Sequence, residues 1–130
     1  MGLNERRKIK ELQDNTFPGR VKDIEEICGK AIPYEVDWDS FSDDLEALNF
    51  VDNISCHRLN MALRTICHDE MGKEAVRDGL KLVKLKNVKD PAAKLIAFSE
   101  GVLEMHCPYA QGASAMFSDG EIRQLLEKGL

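Results

Sequence analysis

The stretch LKLVKLKNVKDPAAKLIAFSEGVLEMHC, residues 80–107, decides the fold. Its apolar residues recur at every second position rather than every third or fourth, which is the period of a strand with one buried face. Leu80, Leu82, Val83, Leu85 and Val88 interleave with Lys81, Lys84, Lys86 and Lys89, and predict a strand over about 81–88. Asp90-Pro91 marks a turn. Lys94–Ser99 and Val102–Cys107 then flank Glu100-Gly101, a two-residue hairpin signal. Leu103, Met105 and Cys107 are expected to face a core, and Glu104 and His106 to face outward.

Upstream, Ile32, Tyr34, Val36 and Trp38 alternate with Ala31, Pro33, Glu35 and Asp37, predicting a further strand over 31–38. Pro33 cannot donate a ladder hydrogen bond, which places this strand at a sheet edge or puts Pro33 on its free side. Helical period governs the rest. Val21, Ile24, Ile27 and Cys28 give a helix over about 18–28, with Thr16 as its N-cap and Gly29 as its terminator. Leu45, Leu48 and Val51 follow, with Ser40 or Ser42 as caps; then comes the stripe Cys56, Leu59, Leu63 and Ile66. Gly72 is expected to break this run, and a last segment to end at Gly79. Ser118 and Glu121 form a capping box ahead of Ile122, Leu125 and Leu126. Residues 1–15 read as a charged arm or short helix, and 16–130 as a single domain. The expectation is an α+β fold in the order α-α-β-α-α-β-β-β-α. Helices pack on one face of a mainly antiparallel sheet of about four strands.

At 130 residues and 14.7 kDa, the folded surface should be roughly 6,900 Å², enough burial for a core that needs neither metal nor disulfide. No apolar run approaches the roughly 20 residues of a membrane span, and the charged N-terminus lacks a signal-peptide core. With no export signal, Cys28, Cys56, Cys67 and Cys107 are expected to be reduced thiols in a cytoplasmic protein.

Each histidine neighbours a cysteine: Cys56-His57, Cys67-His68 and His106-Cys107. Convergence of these pairs would give a thiol- or metal-dependent site. Cys67, His57, Cys107 and His106 are then the catalytic candidates; Cys56, His57, His68 and His106 are the metal candidates. The spacing opposes this. Cys56 and Cys67 lie about 16 Å apart along an unbroken helix, and adjacent positions on a helix or strand point apart. No Walker loop, nucleophile elbow or dinucleotide motif occurs, and no cofactor is implied.

Charge is the more informative feature. The net charge is −5. Residues 31–57 hold seven acids and no Lys or Arg, whereas residues 73–94 hold seven bases against three acids. Such segregation suits steering of a charged protein partner, or contact with a second copy of the chain. The expected function is therefore that of a small acidic macromolecule-binding protein: an adaptor, an inhibitor or an immunity-like, toxin-neutralising protein. Asp37, Trp38, Asp39, Asp43 and Asp44 are the partner-binding candidates. Net acidity and the absence of interleaved aromatics argue against nucleic acid. A small-molecule pocket beside Gln111-Gly112-Ala113 is the third reading.

Overall fold

A computed structural model describes residues 2–130. The chain forms a four-stranded sheet with helices packed against it. In chain order the elements are α1 (Leu3–Glu11), α2 (Phe17–Cys28), β1 (Tyr34–Val36), α3 (Leu45–Phe50), α4 (His57–Ile66), α5 (Glu70–Gly79), β2 (Leu82–Asn87), β3 (Leu95–Ser99), β4 (Val102–Cys107) and α6 (Asp119–Gly129). The exposed surface is 6796 Å², close to the value expected from mass.

The α+β class and the helical layer agree with the sequence; the strand directions do not. The sheet runs β1-β2-β4-β3, with β1 parallel to β2, β2 parallel to β4, and only β3 antiparallel. The expected mainly antiparallel sheet is thus a mixed one. Its cause is the connection 88–94. After Asn87 the chain passes the C-terminal end of β4, where the Val88 N–H donates to the Cys107 carbonyl at 3.0 Å. A tight turn at Pro91–Ala93, capped by Asp90, then returns the chain as the outer strand β3. Lys94 pins this corner by placing its ammonium 4.5 Å from the centre of the Phe117 ring. The β3–β4 hairpin forms where expected. Glu100 (φ 53°) and Gly101 (φ 82°) both take the left-handed conformation of a type I′ turn. β1 is an edge strand, one of the two placements that Pro33 allows, and it is shorter than the alternation implied. From Trp38 the chain turns into a 3-10 helix.

The helices are joined more closely than their sequence breaks suggest. A π-helical turn at Leu12–Thr16 links α1 to α2, and a second at Val51–Cys56 links α3 to α4. Thr16 consequently has helical backbone angles and caps nothing. Pro18, which lacks an N–H, sits just inside α2 where the first π turn absorbs the missing bond. The N-terminal segment is anchored by buried Ile9 and Leu12. Gly29 ends α2 in the left-handed conformation as expected. Asp44, rather than Ser40 or Ser42, caps α3 through the Ala47 N–H at 3.1 Å. The break after α4 falls at Cys67, and Gly72 lies inside α5, where a methyl group would overlap the Ile66 carbonyl. The capping box of Ser118 and Glu121 opens α6.

The core lies between the helices and the inner face of the sheet. Val83, Leu85, Leu103, Met105 and Cys107 meet Leu59, Leu63, Ile122 and Leu126 there, all essentially buried. A chain of aromatic rings, Tyr34–Phe17–Trp38–Phe41–Tyr109, runs through one side with centroids 5.1–6.2 Å apart. Among the described residues, no helix is long and apolar enough to cross a membrane.

Candidate functional site

The helices cover one face of the sheet, and strand alternation puts every second side chain on the other. Register fixes the rows of this open face. Glu35, Lys84, Glu104 and Ala97 lie side by side across β1, β2, β4 and β3; Lys86, His106 and Leu95 form the next row. Lys84 reaches Glu35 at 3.5 Å, and His106 Nε2 lies 2.9 Å from Glu104. With Asp37 these groups line a shallow concavity of about 420 Å³. Glu104 and His106 share the outer face, as the alternation implied. Glu35 and Asp37 do not adjoin them, because β2 inserts Lys84 and Lys86 between the two acidic strands. The open face therefore alternates acids and bases.

The two charge blocks meet at this seam. Besides Lys84–Glu35, Lys89 bonds Asp43 at 2.7 Å, and its ammonium holds the Asp43 carboxyl below the usual carboxylate range. Blocks that are separate in sequence are therefore partly paired in space. Exposed pairs of this kind contribute little to stability. Lys86, Asp37 and Asp39 take no ion pair among the described residues, and all three are exposed.

The acidic candidates divide by task. Asp37 accepts from the Ser40 N–H at 3.3 Å and so caps the 3-10 turn. Asp44 caps α3 and also accepts from Asn87 Nδ2 at 3.1 Å, while Asn87 N–H donates to Ser40 Oγ at 3.0 Å. The acidic loop is thus sewn to the end of β2. Asp39 projects freely, whereas the exposed Asp43 is held by Lys89. Trp38 is not an exposed anchor. It stands edge-on to Phe17 at 5.6 Å and tilted on Phe41 at 6.2 Å, as part of the aromatic chain.

The three Cys–His neighbours do not converge. All four cysteines are buried, whereas His57 and His68 are exposed and His106 lies on the outer sheet face with Cys107 on the inner one. No group of three or more His, Cys, Asp or Glu among the described residues could hold a metal ion. Burial, reinforced by Asp52, pushes the Cys56 thiol up to about 12. Burial likewise raises Cys107, against the opposing effect of Tyr109. Neither is an activated nucleophile. The contact that sequence reasoning missed is Cys67 with Cys28, whose sulfurs are 3.2 Å apart. Each ends the apolar stripe of its helix, which is the signal that could have paired them.

A second concavity of about 540 Å³ runs between the α4–α5 corner and α6. It is lined in part by Ile66, His68, Gly72 and Leu130, with Met71 81% exposed at its rim. The Gln111-Gly112-Ala113 loop borders neither concavity. It folds into short 3-10 turns, and Arg58 donates to the Ala113 carbonyl at 3.0 Å and the Phe117 carbonyl at 3.3 Å. Comparison with protein-family models, curated proteins and solved structures finds no match.

Proposed function

We propose that this is a small macromolecule-binding protein, of the adaptor, inhibitor or immunity-like kind, which holds a protein partner against the open face of its sheet. The observation that carries the reading is that face itself: four strands covered by helices on one side only, with Glu35, Lys84, Glu104, Lys86 and His106 in register on the other. A wide, mixed-sign surface selects a partner by matching charges rather than by apolar area. Asp37, Asp39 and the Asp43–Lys89 pair extend it past the end of β2. The interspersed acids disfavour a polyanion, so nucleic acid fits less well than protein. A thiol or metal centre has less support, because its donors point into different parts of the molecule.

The test is affinity enrichment from the native cell, with wild type and two charge-matched variants as baits. Lys84→Glu with Lys86→Glu reverses the sheet face; Lys22→Glu with Lys128→Glu makes the same charge change on exposed helical positions. Circular dichroism establishes that each bait is folded. The reading predicts that a salt-sensitive set of proteins is lost from the sheet-face variant and kept by the helical one. Retention of the same set by both folded variants contradicts it.

A further inference from the structure

The C-terminal ends of α2 and α4 bring two sulfurs into contact. Cys28 is the last residue of α2 and Cys67 caps α4. The Cys67 thiol donates to the Cys28 sulfur across 3.2 Å, between residues 39 positions apart in sequence. Cys28 is fully buried and Cys67 is 5% exposed. The packing around them holds this placement. Lys30 Nζ donates to the Arg77 carbonyl at 3.0 Å, joining α5 to the residue pair that follows Cys28. The Arg77 side chain lies over Gly29. No other thiol–thiol hydrogen bond occurs among the described residues.

A disulfide has its sulfurs about 2.05 Å apart. The sulfurs have about 1 Å left to close. We infer that Cys28 and Cys67 form a modification site that takes up a reversible intramolecular disulfide from a small-molecule disulfide such as oxidised glutathione.

The chemistry runs in two exchanges. Cys67, the less buried thiol, gives its proton to solvent, and its thiolate attacks one sulfur of the oxidant. The oxidant's S–S bond breaks and one small thiol leaves with a proton. Cys28, deprotonated in turn, attacks the Cys67 sulfur; the mixed disulfide breaks and the second small thiol leaves. Two protein thiols have then lost two electrons and two protons, and one small disulfide has become two thiols.

Charged groups around the pair act in both directions. Lys73 and Arg77 favour the thiolates, and Asp69 opposes ionisation of Cys67. Burial outweighs these and keeps both thiols protonated in the closed fold. The exposed His68–Asp69–Glu70 corner beside Cys67 is the side from which solvent and oxidant approach the pair. The bridge would lock α2 to the α4–α5 corner, next to the concavity that Met71 borders, and leave the open sheet face untouched.

The test uses the full chain, incubated with excess oxidised glutathione, denatured, alkylated and examined by intact mass and peptide mapping. The expected product has lost about 2 Da, leaves two of the four thiols alkylatable, joins the Cys28 and Cys67 peptides, and is restored by dithiothreitol. Folded Cys28→Ser is expected to trap a glutathione mixed disulfide at Cys67. Persistence of four free thiols in the wild type, or a bridge involving Cys56 or Cys107, overturns the proposal; the wild-type result decides even where the variant does not fold.

Discussion

The two faces of one sheet set different rules on the same strands. On the inner face, Val83, Leu85, Leu103 and Met105 are no more than 2% exposed, and each is held by neighbours from the helical layer. On the outer face, the residues between them, Lys84, Lys86, Glu104 and His106, meet water and one another. Alternation makes this division unavoidable, but only the helices decide which face becomes core. The lesson is that stability and recognition can be altered separately here by moving one residue along a strand.

The sharpest tests begin inside. Burial holds the Cys56 thiol neutral, raising it from 9.0 to about 12. A folded-state value above the unfolded one gives stability that is present below about pH 9 and lost as pH rises toward 12. The full loss is about 4 kcal/mol. Urea midpoints should therefore fall between pH 8 and pH 11, and fall less in Cys56→Ala; a midpoint independent of pH over that range would break the account of this interior. Leu103→Ala removes a fully buried side chain from the middle of the inner face. A cost of about 3 kcal/mol is expected by chemical denaturation. A cost below about 1 kcal/mol would show that the face is not close-packed.

A smaller effect of opposite sign is expected at Asn60. This side chain is 1% exposed on the inward stripe of α4, and neither of its amide atoms has a protein partner. Asn60→Leu should stabilise by about 1 kcal/mol, because an unsatisfied buried amide carries a desolvation penalty that leucine lacks. Loss of stability in that variant would mean the amide has a structural role. The smallest effect belongs to the outer face. Lys84→Ala removes an exposed contact to Glu35 and should change the urea midpoint by less than about 0.5 kcal/mol equivalent. A cost comparable to Leu103→Ala would abolish the distinction between the faces.

Local chemistry made much of the fold legible. The Glu100-Gly101 turn, the Ser118–Glu121 box and the Gly29 terminator are each decided within a few residues, and each is where the pattern put it. What stayed hidden depends on distant partners. Nothing in residues 82–87 says that they pair with 102–107 rather than 95–99, because a hairpin and a crossing over the end of β4 use the same alternation. Trp38 ends an alternating run, yet it turns into a 3-10 helix and joins Phe17, which lies more than twenty residues earlier. The candidate site was half visible. The outward pointing of Glu104 and His106 followed from period two, whereas their lysine neighbours depended on strand order. The cysteine–histidine neighbours drew attention to the wrong pairs, since adjacency in sequence separates side chains that the helix ends of Cys28 and Cys67 bring together.

Site-specific photocrosslinking in the native cell bears most directly on the open face as the partner surface. A photoreactive phenylalanine analogue replaces Leu95, 44% exposed on the outer face of β3, or Lys22 on the exposed side of α2. Adducts to a protein partner from position 95 and none from position 22 are the predicted result. Adducts from position 22 alone, or equally from both, would contradict it.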